Sequence, residues 1–139
     1  MLVVEEAKAI ALKLNNPQRV LECIPTAHIM PKYDNLVVLP HKPEEVRVLR
    51  NLGIKAPAPI MHYYDWVGDF TPYTHQKSTA AFLTMNKKAL VLNEIGTGKT
   101  QSALWAADYM MNMGVINKVL IISPLSTLER VWGDAIFKG

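Results

Sequence analysis

The chain is poor in cysteine, in long apolar runs and in charge of one sign, and each scarcity excludes something. One cysteine, Cys23, stands among 139 residues. It excludes an internal disulfide and any cysteine-built metal cluster, and it fits a reduced, intracellular setting. The apolar runs Ala89–Leu92 and Val119–Ile122 are bounded by polar residues, so nothing approaches the ~18 consecutive apolar residues of a membrane span. The opening Met1-Leu2-Val3-Val4-Glu5-Glu6 has no basic region and no small-residue cleavage site, and no signal peptide is read there. The net charge is only +3. Residues 1–69 balance 8 Lys/Arg against 8 Asp/Glu, whereas residues 70–139 carry 7 against 4, so the excess lies in the second half. That bias suits an anion such as a nucleotide or nucleic acid, but an ordinary solvated surface explains it equally well. Half the residues are hydrophobic and 19% are charged, a globular rather than a disordered composition.

Along the chain, Leu2, Val3, Ala7, Ile10, Ala11 and Leu14 recur at helical spacing and predict a first helix. Asn15-Asn16-Pro17 breaks it, with Asn16 and Pro17 capping a second short helix to about Ile24. Two apolar runs, Ala27–Met30 and Leu36–Leu39, flank Pro31-Lys32-Tyr33-Asp34-Asn35 and predict a small hairpin. Pro43-Glu44-Glu45 opens a helix with an acidic first turn, and Gly53 ends it. Lys55-Ala56-Pro57-Ala58-Pro59 reads as an extended linker, with a boundary between Ile60 and Phe70. The second half is more regular. Thr71-Pro72 opens a helix to about Met85, Lys88–Leu92 is a buried-type strand, and Lys99 to about Met113 is helical up to Gly114. Lys118–Ser123 is a second buried-type strand, and Pro124-Leu125-Ser126 turns into a last helix ending near Phe137. Strand, loop, helix and strand make a βαβ unit, for which parallel strands and a right-handed crossover are expected.

The chemistry gathers in Glu94-Ile95-Gly96-Thr97-Gly98-Lys99-Thr100. A strand ending in a glycine-bearing turn, with Gly-Lys-Thr opening a helix, is the phosphate-binding P-loop, or Walker A motif. Successive loop amides converge on phosphates, so glycines are needed where the chain bends and approaches closely. The positive end of the following helix faces the same anion. Lys99 reaches the β- and γ-phosphates, and the Thr100 hydroxyl is placed to ligate a magnesium ion. A chance match to Gly-x-Gly-Lys-Thr in a chain this long occurs about once in several hundred, so a plain glycine turn is the weaker reading. The general pattern has glycine where Asn93 stands. Upstream, Phe70-Thr71-Pro72-Tyr73-Thr74-His75-Gln76-Lys77 supplies Gln76, whose amide can pair with the donor and acceptor edge of adenine. Downstream, Ser123-Pro124-Leu125-Ser126 places small hydroxyls at a strand-to-helix turn, where they can bond nucleic-acid phosphates. Tyr63, Tyr64 and Trp66 suit a base-stacking platform or, as the favoured reading, an apolar anchor for the linker. His28, His41, His62 and His75 have no metal-ligand spacing and read as surface or turn residues.

These motifs, in this order, resemble the start of the first motor lobe of superfamily two helicases, and most of all the Swi/Snf-type DNA translocases. Asn93-Glu94-Ile95-Gly96-Thr97-Gly98-Lys99-Thr100 is similar to their Asp-Glu-Met-Gly-x-Gly-Lys-Thr. Thr74-His75-Gln76 resembles their adenine-reading glutamine motif, and Ser123–Ser126 with Trp132 their first nucleic-acid motif. The resemblance covers residues 70–139; the N-terminal half is similar, more loosely, to the leaders of phage and bacterial DEAD/DEAH-box-like relatives. It implies an α/β fold: a partial RecA-like P-loop NTPase lobe, residues 60–139, behind a small α+β accessory region, residues 1–59. It further implies that ATP and Mg²⁺ bind at Gln76 and residues 94–100, with Thr100 on the metal. Ser123, Pro124, Leu125 and Ser126 would meet DNA, double-stranded rather than RNA, in the cytoplasm of a bacterial or phage-infected cell.

Such an ATPase also needs a later Asp-Glu pair, the Asp for magnesium and the Glu for the attacking water. After Thr100 the acids are Asp108, Glu129 and Asp134, all on expected helices and none in such a pair. An arginine finger from a second lobe is worth roughly 10³–10⁵ in rate and is also outside these residues. The expectation is therefore the N-terminal part of a longer motor that binds ATP but hydrolyses it negligibly. In the family, other strands lie between the P-loop strand and the next in sequence, so unpaired strand edges, an uncovered apolar face and aggregation are expected. Two alternatives stay open: a self-sufficient, non-catalytic nucleotide- or nucleic-acid-binding module, and another small P-loop enzyme such as a kinase.

Overall fold

The computed structural model describes residues 1–33, 35–69 and 71–137; Asp34 of the expected hairpin turn, Phe70 at the boundary, and residues 138–139 lie outside the described residues. The chain divides into two compact units, Met1–Tyr63 and Tyr64–Gly139.

The first unit is built on a four-stranded antiparallel sheet: β1 (Leu2–Val4), β2 (Ala9–Lys13), β3 (His28–Ile29) and β4 (Leu36–Pro40), in the order β1-β2-β4-β3. The first 14 residues are thus a hairpin and not the expected helix. The same stretch also carries Ile10, Leu12 and Leu14 at a period of two, and that alternation finds a partner. Ile10 pairs with Leu39 and Leu12 with Val37 across β2 and β4, and all four are buried. Ala9, Ala11 and Lys13 fall on the other face. A reverse turn at Glu5–Lys8 closes β1 onto β2: the Lys8 amide donates to the Glu5 carbonyl (3.0 Å), and Lys8 itself takes φ +46°. Helix α1 (Gln18–Cys23) has Pro17 as its cap, one residue later than expected, and contributes Val20 to the core. Helix α2 (Pro43–Asn51) starts at its proline, carries Glu44 and Glu45 in its first turn, and buries Val46 and Leu49. Gly53, at φ +84°, lies just beyond its end.

The Ala-Pro segment is not a free linker. Ala56, Ala58, Pro59 and Ile60 are buried in the first unit. Pro57 and Pro59 bring no N–H into the interior, and the Ala56 N–H donates to the Ile54 carbonyl (2.9 Å). Arg50 Nε donates to the Ala56 carbonyl (3.0 Å), and His41 Nε2 donates to the Pro57 carbonyl (2.9 Å). The strap ends in the short helix α3 (Ile60–Tyr63), which belongs to this first unit rather than to the second.

The second unit holds α4 (Thr74–Met85) and α5 (Lys99–Asn112). The helices face each other, burying Ala80, Thr84 and Met85 from α4 and Ser102, Trp105, Ala106 and Tyr109 from α5. Tyr64 and Trp66 anchor the entering chain on α5. Trp66 meets Trp105 edge-on (5.6 Å between ring centres), and Trp105 Nε1 donates to the Val67 carbonyl (2.7 Å). The chain then continues through α6 (Leu125–Thr127), a π-helical turn (Leu128–Gly133) and α7 (Asp134–Phe137), in place of one regular last helix.

The two expected strands of this unit are not formed. Residues 88–92 and 118–123 join no ladder among the described residues. Leu90, Leu92, Leu120 and Ile122 are 75%, 84%, 84% and 89% exposed. A strand exists only by pairing, and neither run is paired among the described residues. The parallel pairing and the crossover expected of a βαβ unit are therefore absent among the described residues.

Candidate functional site

The site is assembled where the start of α4 meets the loop before α5. Gln76, in the first turn of α4, is buried and turns its side chain back, so that Oε1 accepts the Tyr73 N–H (2.9 Å). An amide N–H donor at that position fixes which end of the glutamine is oxygen. Nε2 then points at the Thr97 carbonyl (3.5 Å), a long contact. His75 Nε2 donates to the same carbonyl at 3.1 Å. Two consecutive residues of α4 thus meet one peptide of the glycine loop.

The loop itself is bent by two glycines in left-handed conformation, Gly96 at φ +81° and Gly98 at φ +75°. Gly98 has a second reason to be glycine: a Cβ there would run into the Gln76 amide nitrogen. Thr97 Oγ1 donates to the Glu94 carbonyl (2.8 Å), tightening the bend. Lys99 curls back, with Nζ on the Asn93 carbonyl (2.9 Å) and the Glu94 carbonyl (2.6 Å). Ser102 Oγ donates to the Gly98 carbonyl (3.1 Å) at the head of α5.

Carbonyls of the loop are thus engaged and its amides are not. Among the described residues, no backbone N–H from Glu94 to Gln101 donates a hydrogen bond, and no side chain caps α5. Amides without an acceptor among the described residues, a helix N-terminus and an ammonium held only by neutral carbonyls are groups of the kind that can take an anion. The Thr100 hydroxyl makes no hydrogen bond to another described residue, which leaves it open to a cation held by a bound anion. Glu94 and Ile95 enter this arrangement through their backbone alone, since the Ile95 side chain is fully exposed.

Two further residues help to hold the loop. Asn93, at the position where the general pattern has glycine, donates from Nδ2 to Thr79 Oγ1 (3.0 Å) on α4. His75 is exposed, as the surface reading expects, and its adjacency to Gln76 is the signal that points to its place against the loop. The turn of Ser123, Pro124, Leu125 and Ser126 is a separate feature: no hydrogen bond joins it to residues 93–100 among the described residues. Ser123 Oγ is already hydrogen-bonded to Thr127 Oγ1 (2.6 Å), while Leu125 and Ser126 are exposed. Asp108 is committed elsewhere, taking the Tyr64 hydroxyl (2.8 Å) and Asn112 Nδ2 (3.1 Å). Burial first, and the Asp108 carboxylate next, hold the Tyr64 hydroxyl protonated well above the ordinary tyrosine range.

The histidines correct the reading from spacing. His41 is buried, not superficial, and its ring centre lies 5.4 Å from that of His62 within the first unit. Its Nδ1 accepts the Tyr63 hydroxyl (2.8 Å), and His62 Nδ1 meets Glu5 Oε1 (2.9 Å). Among the described residues no three metal-ligating side chains gather, and no helix is long and apolar enough to cross a membrane.

Over 81 residues the chain is 33% identical to the uncharacterised ATP-dependent helicase YqhH of Bacillus subtilis strain 168. The match takes in 56% of this chain and 13% of that helicase, so the chain spans a small part of the relative's length. No family model and no solved structure matches the chain. The relationship is to a helicase that uses ATP; it carries no further detail.

Proposed function

We propose that residues 64–139 are the nucleotide-binding start of a RecA-like motor lobe, and that the chain belongs to an ATP-driven DNA helicase or translocase of superfamily two, of the Swi/Snf type. The observation that supports this best is the run of amides from Glu94 to Gln101 with no acceptor among the described residues, beside Lys99. Similarity to an ATP-dependent helicase supports it independently. In this reading the amides of the loop take the β- and γ-phosphates, and Lys99 leaves its two carbonyls to neutralise them. Thr100 holds the magnesium ion, which when bound spreads the phosphate charge. Gln76 has one acceptor lone pair and one N–H to spare once Tyr73 and Thr97 are served, and these match the N6–H and N7 of adenine. The exposed Ser126 hydroxyl and neighbouring amides of residues 123–126 meet the backbone of duplex DNA, as the family resemblance suggests. Residues 1–63 form the accessory unit. The setting is the cytoplasm of a bacterial or phage-infected cell.

Binding and turnover separate in this reading. No Asp-Glu pair follows Thr100, and Asp108 is held by Tyr64 and Asn112. The 139-residue chain therefore binds Mg-ATP and turns it over far below about 1 per second. Titration of a fluorescent ATP analogue with magnesium tests this. Lys99→Ala weakens binding about tenfold or more, because a charge-assisted contact to phosphate is lost. Equal binding by wild type and Lys99→Ala, or rapid hydrolysis abolished by that change, would overturn the reading.

A further inference from the structure

We infer that His75 is a positioning residue for the phosphate loop: its Nε2–H holds the Thr97 carbonyl on α4 and so aims the Gly98 amide at the anion. The inference rests on the nucleotide-site reading above and deepens it.

The geometry is specific. His75 Nε2 is 3.1 Å from the Thr97 oxygen, whereas Gln76 Nε2 is at 3.5 Å, so histidine makes the better of the two bonds. A carbonyl can only accept, so Nε2 carries the proton. The ring, though exposed, lies nearly parallel to the Tyr73 ring, 9° between planes and 5.7 Å between centres, which favours this orientation. Tyr73 is in turn fixed as the residue before α4, its N–H on Gln76 Oε1.

The effect on the loop follows from peptide geometry. The Thr97–Gly98 bond is trans and planar, so its C=O and N–H point in opposite directions. Drawing the Thr97 oxygen onto α4 turns the Gly98 N–H to the side away from α4, where no described residue accepts it. Gly98 has no Cβ to resist rotation of this peptide, and its left-handed φ leaves it conformationally soft. One external hydrogen bond therefore decides which way that amide faces. Gln76 cannot replace it, because its amide is shared with Tyr73 and stands further off.

The test uses the full chain, Mg-ATP, and four variants beside wild type. His75→Phe keeps the ring against Tyr73 and removes the donor. His75→Gln restores a donor, because the glutamine Nε2 stands as many bonds from Cα as the histidine Nε2. His75→Asn keeps polarity but falls one bond short. Lys99→Ala reports whether the site binds phosphate at all. The expected result is a Kd for Mg-ATP raised about five- to tenfold in His75→Phe and His75→Asn, and within about twofold of wild type in His75→Gln. A merely structural histidine would not be rescued by glutamine with the tryptophan emission and helical signal unchanged. If His75→Phe fails to fold, His75→Asn carries the same comparison. Lys99→Ala losing affinity while His75→Phe and His75→Asn match wild type overturns the positioning role alone. His75→Gln as weak as His75→Asn overturns it too. Wild type and Lys99→Ala binding alike overturns the nucleotide site itself, and this inference with it.

Discussion

The two units treat their backbone and apolar groups in opposite ways. In Met1–Tyr63 the β-ladder is paired, the alternating residues of β2 and β4 are buried, and even a proline strap has carbonyl partners from His41 and Arg50. In Tyr64–Gly139 the amides from Glu94 to Gln101 have no partner among the described residues, and the two most strand-like runs lie open. A group bonded within the protein is not available to a ligand; one that faces solvent is. The first unit thus closes its groups on one another, whereas the second leaves the loop amides and the runs 88–92 and 118–123 open among the described residues.

The sharpest way to break that contrast is to empty the first core. Leu39 is fully buried opposite Ile10. Leu39→Ala costs about 2–5 kcal/mol in the stability of the first unit, from lost transfer energy and the cavity left behind. All three tryptophans, at 66, 105 and 132, lie in the second unit. Hydrogen exchange of residues 9–13 and 36–40 should therefore accelerate while tryptophan emission and Mg-ATP binding stay as in wild type. A parallel loss of both signals would show that the units are not independent.

Next in size is Gly98→Ala. The added Cβ meets the Gln76 amide nitrogen, and φ +75° strains any side chain. A cost of about 1–3 kcal/mol is expected in the second unit, along with a loss of Mg-ATP affinity of about tenfold or more. Calorimetric titration reads the second and thermal melting by tryptophan emission the first. Gly53→Ala has the same left-handed φ but nothing within 4 Å, so it isolates strain from collision and leaves nucleotide binding alone.

A smaller effect comes from pH, in the first unit. Burial, as the leading cause, holds the His41 ring below its ordinary value of 6.5, with His62 adding in the same direction against the bond to Pro57. Of the groups that face it, Tyr63 donates to Nδ1, His62 stacks at its edge with Glu5 behind, and Lys8 stands over the Tyr63 ring. Below pH 6.5 the unfolded ring takes a proton that the folded ring refuses, so the unfolded state binds more protons. The stabilising contribution is complete above pH 6.5 and is lost as pH falls from there. Denaturant midpoints followed by exchange at residues 36–40 should fall between pH 7.5 and 5.5. His41→Gln should flatten that slope; an unchanged slope would assign it to other groups.

What was legible in the sequence is what the chain decides locally. Pro43 and Gly53 bracket α2 because a proline start and a glycine stop act over one turn. The glycine bend at Gly96 and Gly98, and the helix from Lys99, are equally local, and with Gln76 they made the candidate site visible. What stayed hidden depends on distant partners. Residues 9–13 read as helix until residues 36–40 are alongside, since one-dimensional periodicity does not reveal a ladder with a sequence separation of more than twenty residues. Lys88–Leu92 and Lys118–Ser123 read as strands on composition, but composition supplies no neighbour. His41 looked superficial because nothing in its flanks shows that Tyr63 and Pro57 return to enclose it.

The smallest expected effect closes the comparison, because it sets leucine against leucine. Leu39 and Leu120 are the same side chain in the same kind of apolar run, one fully buried and the other 84% exposed. Leu120→Ala removes the same atoms as Leu39→Ala, yet no packing and no cavity are at stake, so its effect on the second unit's stability stays within about 0.5 kcal/mol. Exposed apolar runs without a ladder favour self-association, so the measurable change is colloidal. Leu120→Lys and Leu92→Lys should lower the scattering mass at high concentration and leave the tryptophan melt where it is. A melt shifted by several degrees, with scattering unchanged, would mean that Leu120 is buried in solution and that the second unit has closed its strand gap.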